Sequence, residues 1–169
     1  IVNQYISQQS AALEQERLRV QEVIQQECGF DILNFLDTSE LKHKIQKDFK
    51  DVPLPSSECD WDDYFFLLFL NKVEPLFKNI PYLMLYEFPA PLAALSTLKE
   101  SDNRVAERFE IYLNGIELCN CFNELTDLAS QKERFTQQAL DKKRLYSYEL
   151  PTPEVLYLAM ERGFPSSAG

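Results

Sequence analysis

An Asn-Gly pair is the sequence feature that most constrains how this chain folds. Asn114-Gly115 separates residues 104–113 from residues 116–124, and both flanking segments carry the apolar and aromatic residues typical of strands. Asn-Gly is the preferred two-residue turn between antiparallel strands, because both residues tolerate positive φ. We therefore predict a β-hairpin in which Leu113 pairs with Ile116.

The predicted hairpin places two acidic side chains on one face. With a two-residue loop Tyr112 lies opposite Glu117, and Glu110 shares the face of Tyr112. Two carboxylates that close together repel each other unless a cation lies between them. Paired acids with room for waters and phosphate oxygens are typical of Mg²⁺ sites in enzymes that use nucleotides. We predict Glu110 and Glu117 as a magnesium site; the spacing leaves open that both face solvent.

Two polar side chains follow on the second strand of the hairpin. Strict alternation would put Asn120 and Glu124 on the face opposite Glu117. One bulge residue near Leu118 or Cys119 would return both to the Glu117 face, and bulges are common beside active sites. The hairpin would then present an acid, an amide and a second acid on one pocket wall, which suits a ligand that carries amines.

The remaining segments predict helices before and after the strands, which is an α+β order. Residues 2–28 have a helical pattern that a short strand at 17–20 could interrupt, with Gly29 ending the second helix. The other predicted elements are a helix from Ser39 to about Lys50, a deeply buried helix from Asp60 to Pro75, a central strand at 82–88, a helix capped by Asp127 that runs to about Leu145, and a helix from Thr152 to about Gly163.

The charge balance restricts the class of partner. The chain has 27 acids and 17 bases among 169 residues, a net charge of −10. Such a surface repels phosphate backbones and acidic membranes, so nucleic acid is not the expected partner of this part of the protein. The longest apolar run is too short to span a bilayer, and the scattered cysteines are typical of reduced thiols. We expect a cytoplasmic protein without membrane contact.

Several common catalytic and cofactor motifs are absent from the sequence. The chain has neither a G-x-x-x-x-G-K loop nor a G-x-G-x-x-G loop. His43 is the single histidine and stands in a lysine-rich segment, so we predict it on the surface and predict no catalytic triad. Cys119 and Cys121 form one C-x-C pair, for which space-filling thiols are a better prediction than a metal site. We predict no catalytic side chain in this chain.

Two runs of the sequence resemble a known family. NRVAERFEIYLNGIELCNCFNELTDLASQKERF closely resembles the catalytic core of class II lysyl-tRNA synthetases, including the tRNA-independent paralogues that attach lysine or β-lysine to elongation factor P. LNKVEPLFKNIPYLMLYEFPAPLAALS resembles the helix, strand and loop that precede that core. The resemblance is close over about residues 60–135 and looser elsewhere. It implies part of the class II antiparallel sheet flanked by helices, and ATP and Mg²⁺ as cofactors.

The resemblance also implies roles for individual residues. Glu110 and Glu117 correspond to the acids that hold Mg²⁺ and the ATP phosphates, and Asn120 to the residue that holds the amino-acid end of the substrate. Glu124 corresponds to the acid that pairs with the ε-ammonium of lysine. The two cysteines beside Asn120 replace Ala or Gly of the family, and we expect them to narrow the substrate pocket.

The phrases EFPAPLAALS and ELTD resemble the ligase paralogues more than the synthetases. We therefore expect part of a ligase that activates lysine or β-lysine as an adenylate and transfers it to elongation factor P. A lysyl-tRNA synthetase, with tRNA as acceptor, and a non-catalytic binding module remain the alternatives. RFE at 108–110 belongs to the hairpin and is not the family's motif 2.

The family pattern places motif 2 before residue 1 and motif 3 after residue 169. We thus expect residues 1–169 to be a partial catalytic domain, inactive alone, with a mainly helical insertion at 1–59 and core strands and helices at 60–169. A homodimer of the full-length enzyme stays open.

Overall fold

Five strands form one mixed sheet in the computed structural model, which describes residues 15–57 and 59–169. The strands are β1 (Gln15–Arg19), β2 (Tyr82–Pro89), β3 (Leu98–Lys99), β4 (Asp102–Leu113) and β5 (Ile116–Phe122). The α-helices are α1 (Val20–Cys28), α2 (Thr38–Asp48), α3 (Trp61–Lys72), α4 (Leu128–Tyr146) and α5 (Glu154–Glu161). Short 3₁₀ turns occur at Ile32–Asn34, Glu74–Asn79 and Ala90–Leu92. The predicted α+β class is confirmed.

The twelve-residue strand β4 organises the sheet. Strand β2 runs antiparallel along one of its edges, and β5 and then β3 occupy the other edge. Strand β1 pairs with β2 in parallel, from Gln15 opposite Tyr82 to Arg19 opposite Tyr86. The sheet expected to be antiparallel is therefore mixed, because the predicted short strand near residues 17–20 joins it in parallel.

The hydrophobic core lies between one face of the sheet and the N-terminal helices. Leu83 and Leu85 of β2 are fully buried there, together with apolar side chains of α1, α2 and α3. Phe77 packs edge-on against Tyr112 of β4, with ring centroids 5.0 Å apart. Burial of these large apolar side chains stabilises the packing of β4 against the core. The polar residues of β4 that share the Tyr112 face therefore begin at the margin of the core.

The predicted helices are confirmed with two corrections. Gly29 ends α1 in the left-handed conformation, at φ 76°. The cap of α2 is Asp37 rather than Ser39, because the Asp37 carboxylate accepts from the backbone of Ser39 and Glu40. Helix α3 is buried on one side only: Phe66 and Leu70 are exposed. The helix predicted across residues 2–14 lies outside the described residues.

Asn114 and Gly115 form the turn between β4 and β5, as predicted. Both have positive φ, 49° and 79°, which matches the twist of the flanking strands. Leu113 pairs with Ile116 directly beside the turn. The hairpin that carries the candidate residues is thus fixed by its own turn chemistry.

Candidate functional site

The β4–β5 register brings three of the four predicted site residues to one face of the sheet. Tyr112 pairs with Glu117, but the next pair is Ile111 with Cys119, so Leu118 is an extra residue on β5. After this bulge Glu110 pairs with Asn120. Directly paired residues share a face. Of the two alternatives that the sequence left open, strict alternation or a bulge near Leu118 or Cys119, the structure has the bulge, and it returns Asn120 to the face of Glu110 and Glu117.

Glu110 is buried and already carries two charge-assisted hydrogen bonds. Arg108 Nη2 donates to its Oε1 at 2.6 Å, and the Tyr112 hydroxyl donates to its Oε2 at 2.6 Å. Burial and the hydrogen bond to Glu110 raise the pKa of Tyr112, so the phenol stays protonated and remains a donor. Each carboxylate oxygen keeps further lone pairs, so Glu110 can still accept a ligand.

Arg108 lies at the centre of this face. Its side chain is 10% exposed, and each guanidinium nitrogen has a separate acceptor. Nη2 donates to Glu110, Nη1 to the carbonyl of Leu92 at 2.9 Å, and Nε to Asn120 Oδ1 at 3.1 Å. The guanidinium carbon lies 4.5 Å from the ring centroid of Phe88 and 5.5 Å from that of Phe122. Two ring faces and three acceptors fix its position.

Glu117 differs from Glu110 because it is exposed. Partial desolvation, together with the nearby negative charge of Glu110, raises the pKa of Glu117. A cation between the two carboxylates would relieve that repulsion, and hard oxygen donors are the ligands that Mg²⁺ prefers. No three His, Cys, Asp or Glu side chains in residues 15–57 and 59–169 come together as a metal centre. The two acids fit Mg²⁺ only if water or a ligand supplies the remaining oxygens.

Glu124 lies beyond the end of β5. Its N–H donates to the carbonyl of Ser167 at 2.9 Å, and its carbonyl accepts from Thr97 Oγ1 at 3.1 Å. Its carboxylate lies beside Gly169, where an added Cβ would be 2.8 Å from Oε1. Asn123 donates its side-chain amide to Glu107. Alternation along this extended segment then puts Glu124 on the other face, with Asn120.

No ion pair among the described residues involves Glu117 or Glu124. Glu117, which is exposed, and Glu124, which is half-buried, therefore differ from Glu110, whose charge Arg108 already balances. An amine ligand or a metal ion would therefore meet two carboxylates that no ion pair among the described residues occupies. The wall can bind cations on its open side.

The cysteine prediction requires a correction. Cys119 pairs with Ile111 and Cys121 with Phe109, so both face away from Asn120 and Glu110. The expectation that they narrow the substrate pocket is wrong, because residues on either side of Asn120 in an extended strand point to the opposite face. His43 is exposed, as predicted. Asp127 caps α4, because its carboxylate accepts from Ser130 N at 2.7 Å.

Sequence reasoning missed Arg108 and Tyr112 as members of the site. Both stand two residues from Glu110 on β4, so period-two alternation already places all three on one face. Arg108 is also the basic residue nearest to Glu110 in the sequence, so it could have been predicted as the cation that balances the Glu110 charge. What alternation cannot show is that Arg108 also reaches Asn120 on the neighbouring strand.

No helix in residues 15–57 and 59–169 combines the length and apolar character that crossing a membrane requires.

Comparison with known proteins gives two kinds of match. The family described as tRNA synthetases class II (D, K and N) matches residues 5–169. Proteins named elongation factor P–(R)-β-lysine ligase are similar over much of the chain. The protein from Edwardsiella ictaluri is 42% identical over 113 residues, 67% of this chain and 35% of that protein.

Two further relatives with the same name cover more of the chain. The Erwinia tasmaniensis protein is 37% identical over 154 residues, 91% of this chain and 47% of the relative. The Haemophilus influenzae protein is 37% identical over 157 residues, 91% of this chain and 46% of the relative. The chain therefore spans less than half the length of these relatives.

Proposed function

Because the chain belongs to the class II tRNA synthetases of the aspartate, lysine and asparagine type, we propose that it is part of an ATP-dependent ligase for lysine or β-lysine. The proposed acceptor is a lysine of elongation factor P, which is the acceptor in the names of the relatives. The reaction would take place in the cytoplasm, where ATP and translation factors are present.

One observation carries the proposal: the β4–β5 hairpin presents Glu110, Glu117 and Asn120 on one face. These are the residue types needed to bind a magnesium nucleotide beside an amino acid. An isolated acidic surface would not need a bulge to bring an amide into line with two acids. Leu118 supplies that bulge, and it is itself exposed, so packing does not account for it.

In the proposed reaction the carboxylate of lysine attacks the α-phosphorus of ATP, releases pyrophosphate and forms an aminoacyl adenylate. Mg²⁺ would neutralise phosphate charge while held by Glu110 and Glu117. Glu110 is the fixed partner, because Arg108 and Tyr112 hold both of its oxygens in place. Glu117 is the exposed partner and would bind the metal ion when the metal–nucleotide complex enters the site. The chain contributes to the rate by positioning and charge neutralisation.

Recognition of the amino acid would come from the other residues of the wall. The Asn120 amide would donate to the substrate carboxylate, and the Glu124 carboxylate would accept from the amine at the end of the side chain. Glu124 lies four residues beyond Asn120, which suits an amino acid with a long side chain. Among the described residues Glu124 forms no ion pair, which supports this role.

The test uses the full-length protein, because the chain covers less than half of its relatives. ATP–pyrophosphate exchange is measured with lysine and with (R)-β-lysine, and transfer of the labelled amino acid is followed to elongation factor P and to lysine tRNA. We expect exchange with at least one of the two amino acids, and transfer to elongation factor P. Exclusive transfer to tRNA would instead identify a lysyl-tRNA synthetase, and absence of exchange would indicate a binding module.

A Glu124→Gln variant sharpens the test. Loss of the charge at Glu124 should raise the KM for lysine at least tenfold, because the substrate ammonium loses its charged partner. Glu133→Gln is the matched control, since Glu133 is an exposed acid on α4. An equal effect of both substitutions would remove the support that Glu124 gives to the proposal.

A further inference from the structure

Arg108 is a charged side chain of this face to which the proposed function assigns no role. It is nine-tenths buried, and it joins two strands by donating to Glu110 on β4 and to Asn120 on β5. A guanidinium has five N–H donors and no acceptor. Its contact with Asn120 therefore requires the amide oxygen, and the orientation of that amide is fixed by chemistry.

This constraint determines what Asn120 offers to a ligand. With Oδ1 held by Arg108 Nε at 3.1 Å, the Nδ2 group and its two donors face away from the guanidinium. Asn120 is exposed, so those donors are accessible from solvent. An unconstrained asparagine could present either its oxygen or its nitrogen. Arg108 therefore excludes the amide orientation in which Asn120 Oδ1 would face an anionic group of the ligand and repel it.

The same guanidinium is held by contacts that do not involve Asn120. Phe88 and Phe122 lie against its faces, and the carbonyl of Leu92 takes Nη1. A lysine at this position would keep the charge but lose the planar fork that reaches three acceptors at once. Position 108 therefore requires the planar guanidinium with its three donor nitrogens, and a positive charge alone is not sufficient.

We propose that Arg108 is a positioning residue that turns the Asn120 amide so that Nδ2 donates to the carboxylate of the amino-acid substrate. The inference rests on the proposed function, because it assigns the amino acid to this wall. Arg108 touches neither the substrate nor ATP in this scheme; it acts through Asn120. If Arg108 served only as an ion-pair partner of Glu110, it would stabilise the fold, and its replacement would not selectively weaken binding of the substrate carboxylate.

The experiment measures binding of ligands to the full-length protein by calorimetry, without ATP or metal. The variants are Arg108→Lys, Asn120→Ala and the double variant. The probes are lysine, (R)-β-lysine and cadaverine, which has the amine-bearing chain and lacks the carboxylate. Arg104→Lys is the matched control, because Arg104 lies on the same strand and is paired at the surface with Asp102.

We expect Arg108→Lys to weaken binding of the better amino acid about tenfold, the size of one lost hydrogen bond to a charged group. Cadaverine should bind wild type and Arg108→Lys equally. In the Asn120→Ala background, Arg108→Lys should cause no further loss, because the group through which it acts is gone. Arg104→Lys should leave both affinities unchanged.

Other outcomes separate the possible failures. An equal loss for cadaverine and the amino acid, or an additive loss in the double variant, would overturn the positioning role and leave a structural one. If Arg108→Lys does not fold, Asn120→Asp provides the second variant. It keeps an acceptor for Arg108 but has no donor, so it should lose amino-acid binding and retain cadaverine. Wild-type protein that binds neither amino acid would overturn the proposed function as well.

Discussion

Glu110 and Glu117 share one face of the sheet but differ in their surroundings. Glu110 is buried beside Arg108 and Tyr112, whereas Glu117 is exposed and lies close to a like charge. A buried charge whose partner is removed remains desolvated without compensation, while an exposed one is solvated by water. Although both acids have the same proposed ligand, removal of the Glu110 charge should lower the stability of the fold, and removal of the Glu117 charge should not.

We predict that Glu110→Ala destabilises the protein by about 3–5 kcal/mol, because it leaves the buried Arg108 guanidinium without its carboxylate. Urea unfolding followed by circular dichroism measures the change. Glu117→Ala is the control and should shift the free energy of unfolding by less than about 1 kcal/mol, as is usual for exposed charges. Equal effects of the two substitutions would show that the Arg108–Glu110 pair contributes nothing to the fold.

We predict that Glu117→Gln stabilises the metal-free protein slightly at pH 7. The pKa of Glu117 is raised in the folded state, so its ionised form is less favourable there than in the unfolded chain. The penalty applies above the folded pKa and disappears below the ordinary value of 4.5. The gain should therefore fade as the pH is lowered toward 4. Urea midpoints at several pH values, without divalent cations, measure it.

Magnesium provides the complementary measurement for Glu117. If the two acids hold the metal, Mg²⁺ with a nucleotide should stabilise the wild type and should stabilise Glu117→Gln much less. Stabilisation of both proteins to the same extent would place the metal elsewhere.

Among the elements, the β4–β5 hairpin depends most on its turn. A side chain at Gly115 would have to adopt φ 79°, and its Cβ would lie 3.0 Å from Lys78 N. Gly29 has a similar φ of 76°, but nothing lies within 4 Å of its Cβ position. The two glycines thus form a matched pair that separates backbone strain from steric contact.

We predict that Gly29→Ala costs about 1 kcal/mol, the penalty of a left-handed alanine. Gly115→Ala should cost at least about 1 kcal/mol more, because the backbone of Lys78 must move. Thermal unfolding of both variants provides the comparison. Equal costs would mean that the contact between the turn and Lys78 relaxes freely.

The sequence predicted the hairpin well because its determinants are local. Asn114-Gly115 sets the turn, whereas the sequence left open whether β5 alternates strictly or carries a bulge near Leu118 or Cys119. The position of Arg108 required knowledge of which carbonyl and which rings would surround it, and Leu92 and Phe88 come from a different part of the chain. The parallel pairing of β1 was missed for the same reason.

At the scale of the whole molecule, the C-terminal helices leave apolar side chains exposed. Leu140, Leu145, Tyr146, Leu150, Val155 and Leu158 of α4, α5 and their connection are each 42–83% exposed. An uncovered surface of this kind favours association.

We predict that the isolated 169-residue chain associates in a concentration-dependent manner. Val155 is 83% exposed on α5, so Val155→Lys should reduce the average mass measured by light scattering. Ser56→Lys adds the same charge in an exposed loop and should leave the mass unchanged. A monomer at every concentration, or an equal effect of both lysines, would contradict a role for this surface.

The parallel pairing of β1 with β2 has a consequence for the order of folding. A hairpin closed by a two-residue turn forms within about 1–10 μs, whereas parallel strands must first bring distant parts of the chain together. Strand β1 meets β2 across the whole N-terminal helical region. The segment that carries the acids can therefore form early, and completion of the sheet by β1 should be a slow, late kinetic phase.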